Sequence, residues 1–312
     1  MRTAICVLLF CLMQGGSMMK SQTVIDLGRG GGVRSKTIDD YTRDREHIRK
    51  RQAADSIAYS DCLRRAFSAL YTDSLPEARK LFEEALRLRP LSPSNYVVRR
   101  SLGRIYLAEG NFGRAAELLT AVLKEKPDEA EARMDRATVY LELDNPQEAE
   151  KDCNVLIEEN LLPDRLARLH FIRGAARMRQ KLYAPARSDF ETCLRLEPNS
   201  TGAALLLASA YEEDNRLREA LERLDFFVES HPENADGLVM RARIEEKEGM
   251  DDAARADYDK ALRLRPRDGL LYVARAEVLL RLGARGSARK DLDEAVRLGI
   301  PRSALKSLYQ KL

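Results

Sequence analysis

The chain offers few side chains that could carry out catalysis. It has three histidines, His47, His170 and His231, and none lies within a helical turn of another or at a spacing typical of metal ligands. Adjacent glutamates such as Glu158 and Glu159 splay across a helix, so they do not oppose each other as a general acid and base would. The sequence has neither a nucleophile elbow nor a phosphate-binding loop. We therefore expect no enzymatic activity, no metal and no cofactor.

The clearest chemical pattern is an arginine followed sixteen residues later by an aspartate, which occurs four times in one register. Where the arginine is replaced by Leu102 or Leu207, the aspartate is replaced as well, by Leu118 or Arg223. A partly buried guanidinium needs a carboxylate partner, so joint presence and joint absence predict structural ion pairs. The alternative is four exposed pairs that contribute little to stability. The predicted pairs are Arg136 with Asp152, Arg173 with Asp189, Arg241 with Asp257, and Arg275 with Asp291.

Seven alanines set the register of these pairs, and successive alanines are 34 or 37 residues apart. Glycine or alanine lies twelve residues before each of them, and proline usually lies twelve residues after. Two small side chains allow two helices to approach closely, and the proline ends the second helix. The pattern therefore predicts a repeated helical hairpin. The seven alanines are Ala78, Ala115, Ala149, Ala186, Ala220, Ala254 and Ala288.

The second repeat shows the consensus best and resembles the tetratricopeptide repeat family, in its residues Leu102, Gly103, Tyr106, Ala115, Leu119 and Pro127. The resemblance implies an all-α fold, a right-handed α-solenoid of about seven hairpins. The repeats are expected at residues 59–92, 96–129, 130–163, 167–200, 201–234, 235–268 and 269–301, followed by a capping helix at 302–312. The chain has no tryptophan, so it lacks the aromatic residue that often starts the first helix of this repeat.

The N-terminal residues predict export. Arg2 precedes an apolar run from Ala4 to Met13, and small residues follow it, as in a secretory signal peptide. The expected signal covers residues 1–21, with cleavage after Ser17 or Ser21, and the alternative is a retained amphiphilic anchor. The run is shorter than the roughly 20 residues that span a bilayer. We expect a periplasmic or outer-envelope protein in which residues 22–58 form a glycine-rich tether and an N-terminal helix.

Charge and cysteine content exclude some classes of function. The 53 basic and 50 acidic residues give a net charge of +3, which provides no footprint for nucleic acid. No later segment is apolar enough to cross a membrane. Removal of the signal would leave Cys62, Cys153 and Cys193, an odd number without close spacing, so we expect buried packing residues and no disulfide framework.

The family resemblance implies a non-catalytic scaffold or adaptor that binds a protein or peptide partner along the groove lined by the first helices. Counting from the small-residue positions predicts an apolar stripe flanked by arginines at one end and glutamates at the other. The alternative is that the apolar residues only seal adjacent repeats. The predicted groove residues are Met134, Phe171, Met178, Leu205, Val239, Arg168, Arg179, Glu212, Glu213 and Glu246.

Two other functions stay open. Helical repeats also support carbohydrate-uptake or glycan-binding accessory proteins of the envelope, although sugar sites stack on exposed aromatic side chains and this chain has 11 tyrosines and no tryptophan. A purely structural role, in which the chain spaces other envelope proteins, is the second. The sequence sets neither the partner nor the oligomeric state.

Overall fold

The computed structural model describes residues 23–26 and 34–312. The predicted signal peptide, Gly28 and the glycines at 30–32 lie outside the described residues. The chain divides into two compact units, one up to Ile105 and one from Tyr106 to Leu312. We describe each unit separately.

Two paired β-strands lie at the described ends of the segment for which we expected a flexible tether. Strand β1, Thr23–Asp26, pairs antiparallel with β2, Arg34–Thr37, and Thr23 is opposite Thr37. The prediction weighed the glycines of the segment and not the β-branched residues on either side of them, which favour extended backbone. The expected tether is thus replaced, at its two described ends, by paired strands.

The rest of the first unit consists of helices. Helix α1, Ile38–Tyr71, runs without a break through the predicted boundary at residue 59. Its C-terminal half packs on α2, Leu75–Leu88, where the rings of Phe67 and Phe82 meet edge to face with centroids 5.1 Å apart. The buried Asn95, at the start of α3, Asn95–Ala108, donates to the carbonyls of Arg89 and Pro90. This amide therefore holds the first of the two longer loops between repeats.

The second unit is an α-solenoid of helical hairpins. Each hairpin pairs two helices of 13 or 14 residues, and a short 3₁₀ helix, Pro163–Arg165, fills the second longer loop. The helices are α4 Phe112–Glu125, α5 Ala130–Glu142, α6 Pro146–Glu158, α7 Leu166–Arg179, α8 Tyr183–Leu196, α9 Thr201–Glu213, α10 Leu217–Ser230, α11 Ala235–Lys247, α12 Asp251–Leu264, α13 Gly269–Arg281 and α14 Arg285–Arg297.

Small side chains at two fixed positions bring the helices of each hairpin together. All seven alanines that define the period are 0 % exposed. In the hairpin of α7 and α8, the other small position is Gly174, where a Cβ atom would lie 2.7 Å from the ring of Phe190. The close approach of the two helices at this point therefore leaves no room for a Cβ atom.

A residue with positive φ turns the chain between the two helices of every hairpin. Glycine adopts this backbone without a Cβ penalty at Gly110, Gly249 and Gly283. Asn215 adopts it as well, with a φ of 55°. The same position is held by Asp73, Asp144 and Lys181 in the remaining hairpins, which the sequence analysis did not identify.

The first helices of consecutive hairpins also contact one another: α5 with α7, α7 with α9, and α9 with α11. They thus form a continuous layer in the second unit, which we call the first-helix face. At its C-terminal end, Leu305 and Leu308 cover the last hairpin. The cap is smaller than the helix expected at 302–312, because only Lys306–Tyr309, α15, is α-helical.

Candidate partner-binding site

The four predicted ion pairs are all bidentate contacts between the two helices of one hairpin. In the pair of Arg241 and Asp257, Nε donates to one carboxylate oxygen at 2.6 Å and Nη2 to the other at 2.9 Å. The four aspartate side chains are between 2 % and 8 % exposed. Burial of an ionised carboxylate is unfavourable without such a partner, so each aspartate depends on its arginine to remain ionised in the folded chain.

Each of these arginines also reaches back to the preceding hairpin. The Nη1 atom of Arg275 donates to Asp259 at 2.7 Å, and that of Arg241 donates to Asp225 at 2.9 Å. In the two earlier hairpins the acceptors are Thr120, contacted by Arg136, and Asn154, contacted by Arg173. We call these four arginines and their partners the arginine ladder, because each guanidinium joins two helices of its own hairpin and one of the hairpin before it.

Asp189 is the most heavily bonded member of the ladder. His170 Nδ1 lies 2.7 Å from it, and Arg173 and Arg177 both donate to it. Burial alone would raise the pKa of Asp189, but the hydrogen bonds from His170 and Arg173 hold it below its usual value. The His170 side chain is mostly buried, with 12 % of it exposed.

The predicted apolar groove residues lie along the first-helix face, at the contacts between repeats. Met134 is 2 % exposed and belongs to the core of its own hairpin. Phe171 is half-buried, with its ring 6.2 Å from that of Phe190 and its edge against Gly202 of the next first helix. Met178, Leu205 and Val239 are half-buried as well. The four half-buried side chains therefore seal adjacent repeats on one side and remain accessible on the other, whereas Met134 is not accessible.

The predicted groove charge Glu212 is paired with two cations of the neighbouring first helix. Glu212 accepts from Arg243 at 2.6 Å and from Lys247 at 2.6 Å, and its side chain is 4 % exposed. Burial opposes ionisation of Glu212, but these two hydrogen bonds bring its pKa below the usual value. The two cations are about half exposed, so they cover the carboxylate from solvent.

A similar arrangement holds the other charges of the face. Glu246 accepts from Arg281 and from the hydroxyl of Tyr258, both at 2.6 Å. Arg179 donates to the carbonyl of Leu141. Of the predicted charged residues, Arg168 and Glu213 are well exposed and form no ion pair with the described part of the chain.

Glu245 is a buried carboxylate that the sequence analysis missed. It is 7 % exposed, and its Oε2 atom has no hydrogen-bond partner among the described residues. Burial, and next the nearby carboxylate of Asp257, raise the pKa of Glu245 to about 7. Nε of Arg241 lies 4.0 Å from the other carboxylate oxygen of Glu245, but this Nε donates its hydrogen bond to Asp257. A register comparison would have identified the position, since Tyr211 and Arg177 occupy it in the two preceding hairpins.

The remaining reactive groups are buried. Cys62, Cys153 and Cys193 are free thiols, and burial raises the pKa of Cys153 to about 12. Among the described residues, no group of histidine, cysteine, aspartate and glutamate side chains is arranged to bind a metal. No described helix combines the length and the apolar character needed to cross a membrane.

Comparisons with known proteins show what the repeat is similar to. The family model of the tetratricopeptide repeat matches residues 100–160 and 205–269. RNA polymerase II-associated protein 3 of Rattus norvegicus is 31 % identical over 183 residues, which are 59 % of this chain and 25 % of that protein. The chain thus spans about a quarter of the length of this relative.

Two solved structures show the same fold. A tetratricopeptide repeat protein from Parabacteroides merdae superimposes with a TM-score of 0.63 at 23 % identity, covering 81 % of this chain and 98 % of that one. PilF of Pseudomonas aeruginosa superimposes with a TM-score of 0.54 at 21 % identity, covering 68 % and 94 %. This chain therefore has the fold of these proteins, and two stretches of it, residues 100–160 and 205–269, are similar to the tetratricopeptide repeat.

Proposed function

We propose that this chain, which carries tetratricopeptide repeats, is a non-catalytic scaffold of the cell envelope that binds a segment of a partner protein on its first-helix face. The observation that carries the proposal is the continuity of that face. First helices lie side by side from α5 to α11, and half-buried apolar side chains follow one another across the contacts between them.

The chemistry of the face defines the kind of partner. Phe171, Met178, Leu205 and Val239 offer accessible apolar surface, which suits the apolar anchors of an extended or helical segment. Arg243 and Lys247 cover Glu212, so the face presents cations at this place. The proposed segment therefore carries apolar anchors with acidic side chains directed at α11.

Site-specific photo-crosslinking in cells that naturally produce the chain tests the proposal. A photoreactive amino acid would replace Arg168 on α7 or Val239 on α11. The matched control replaces Arg218, an exposed residue on the second helix α10. We expect one reproducible protein adduct from Arg168 and Val239 and none from Arg218. Adducts from Arg218 alone, or no protein adduct from any of the three positions, would exclude binding on this face.

A charge exchange on the same face separates binding from folding. Arg168→Glu combined with Glu213→Lys leaves the net charge unchanged and affects two exposed side chains. The control exchange, Arg218→Glu with Glu222→Lys, lies on exposed positions of α10. We expect the first double variant to lose the photo-crosslinked partner and the second to keep it, with both thermal midpoints within a few degrees of the wild type.

The envelope location is part of the proposal and has its own measurement. The apolar run that begins at Ala4 supports export. Mass spectrometry of the native protein should find a mature N-terminus after Ser17 or Ser21. An N-terminus at Met1 or Arg2 would remove export from the proposal.

A further inference from the structure

The arginine ladder is interrupted in one hairpin of the second unit, that of α9 and α10. Leu207 stands where the other hairpins have the arginine, and Arg223 stands where they have its aspartate. Leu207 is 3 % exposed, and it does not extend toward the preceding hairpin as Arg241 does toward Asp225. The space that a ladder guanidinium fills elsewhere is therefore left open here.

A pocket of about 470 Å³ occupies this space, between α8, α9 and α10. Its apolar lining includes Leu194, Leu207 and Phe227, and the ring of Phe226, which is 75 % exposed, stands at its rim. This volume lies within the roughly 300 to 1,000 Å³ of pockets that bind small ligands. The pocket can therefore hold one large apolar side chain of a partner together with part of its backbone.

The pocket lies on a different side of α9 from the proposed groove. Ala204 and Leu207 line it, whereas Leu205 of the same helix belongs to the first-helix face. Most of the remaining lining comes from the second helices α8 and α10. A ligand of this pocket would not occupy the first-helix face.

The rim of the pocket is cationic. Arg195 and Arg223 are exposed, and His231 lies beside them with its ring stacked on Phe227. Arg223 forms no hydrogen bond or ion pair within the described part of the chain, and the contact recorded for Arg195 is with the hydroxyl of Thr192. The acidic lining residue, Glu191, accepts from Tyr211 at 3.3 Å. Two arginines thus remain available to an acidic ligand.

We propose that the pocket at this interruption of the ladder is a second docking site, which binds an acidic segment of a partner protein through one large apolar side chain flanked by aspartate or glutamate. The apolar side chain enters above Leu207 and packs against Phe226. The flanking carboxylates pair with Arg195 and Arg223. Charge complementarity favours this occupant over a second copy of the chain and over the chain's own N-terminal segment.

A second copy of the chain fits the rim poorly. In a two-fold symmetric contact the same patch faces itself, so Arg195 and Arg223 of both copies would come together. The N-terminal segment of the chain fits no better. Residues 1–33 contain three basic residues, Arg2, Lys20 and Arg29, and one acidic residue, Asp26. Both occupants would place positive charge on a positive rim.

The interruption itself supplies the variant that tests the proposal. Leu207→Arg combined with Arg223→Asp restores in this hairpin the pair that four other hairpins contain, with Glu191 in the place of Asp225. The restored guanidinium would fill the pocket, and the new carboxylate would remove one cation from its rim. A second variant, Arg195→Glu with Arg223→Glu, changes the charge without filling the pocket. Its control is Arg263→Glu, at the register position of Arg195 in α12.

The experiment is a selection from a random peptide display library on the full-length chain, with the pocket-filled double variant as the counter-target. Selected sequences are then synthesised and measured by fluorescence anisotropy. We expect peptides with one large apolar residue flanked by acids, whose affinity falls about tenfold or more in both double variants and less than about twofold in Arg263→Glu. Circular dichroism of each variant verifies that its helices and melting transition are retained.

Three results would overturn the proposal. The first is a selection that yields no peptide discriminating the wild type from the pocket-filled variant. The second is a discriminating consensus that is basic or lacks the apolar residue. The third is a wild-type chain that dimerises by light scattering while the pocket-filled variant stays monomeric, which would make a second copy the occupant.

Discussion

The hairpin of α9 and α10 and the hairpin of α11 and α12 have the same backbone architecture and are held together differently. In the latter, Arg241 joins Asp257 of its own hairpin to Asp225 of the preceding one. In the former, Leu207 occupies that position and a pocket takes the place of the guanidinium. The comparison separates two roles of one position. Arg241 at this position couples three helices, whereas Leu207 lines a pocket that can receive another molecule.

The largest effect on stability is expected at the aspartate position of the arginine ladder. Asp189→Ala leaves the buried guanidinium of Arg173 and that of Arg177 without their shared carboxylate, and we expect a loss of about 3 to 5 kcal/mol in the free energy of unfolding. Arg223→Ala is the matched control, because it occupies the same register position in the interrupted hairpin and is exposed. It should change stability by less than about 0.5 kcal/mol. Urea denaturation of the three proteins measures both values.

A restored ladder would make the two hairpins alike. Leu207→Arg alone buries a guanidinium whose available acid is the exposed Glu191, and it should cost about 2 kcal/mol. Adding Arg223→Asp should recover at least half of that cost, because the bidentate pair can then form. Urea midpoints measure the recovery. If the second substitution recovers nothing, the geometry of this hairpin does not support a ladder pair.

The two hairpins also differ at the position held by Tyr211 in the first and by Glu245 in the second. Folding raises the pKa of Glu245 to about 7 from an ordinary value of 4.5. The folded state therefore favours the protonated carboxyl, and the stability that it contributes is fully present below pH 4.5 and is lost as the pH rises through 7. Glu245→Gln should stabilise the chain by about 1 to 2 kcal/mol at pH 8 and have almost no effect at pH 4.5. Thermal unfolding at both pH values provides the test, and an equal effect at both would contradict the shift.

The smallest effect concerns the turns. Lys181 has a φ of 61° in the hairpin of α7 and α8, whereas the hairpin of α11 and α12 uses Gly249 at the same position. Lys181→Gly removes the Cβ strain and should stabilise the chain by up to about 1 kcal/mol, since the greater freedom of glycine in the unfolded state offsets part of the gain. Lys181→Ala should produce no gain because it keeps the Cβ atom. A thermal midpoint that rises equally in both variants would assign the effect to the lysine charge instead.

The sequence predicted the hairpins and the ion pairs because both follow from fixed spacing within one repeat. The positions of Ala186 and Gly174 hold small residues in every repeat because two helices meet there. The positions of Arg173 and Asp189 change together from repeat to repeat because the two side chains are in contact. The N-terminal hairpin escaped prediction, since its strands depend on a pairing between two short segments that the glycine content obscured.

Contacts between repeats were harder to predict. Asp225 and Asp259 lie five residues after a period alanine, and comparing that column with the arginines of the following repeats would have revealed the second half of the ladder. The pairing of Glu212 was not predicted because its cations, Arg243 and Lys247, lie 31 and 35 residues further along the chain. The pocket beside Leu207 lies where this repeat lacks the ladder arginine. Its existence depends on how the neighbouring helices pack, which the sequence does not show.

The central claim is that the ladder couples helices energetically, and a double-mutant cycle at Arg241 and Asp257 tests it most directly. The substitutions are Arg241→Leu and Asp257→Leu, because Leu102 and Leu118 fill these two positions in another hairpin of the same chain. We predict that each single variant loses several kcal/mol by urea denaturation and that the double variant recovers most of the loss. The resulting coupling energy should be about 2 kcal/mol or more. Additive losses, with a coupling energy near zero, would contradict the account.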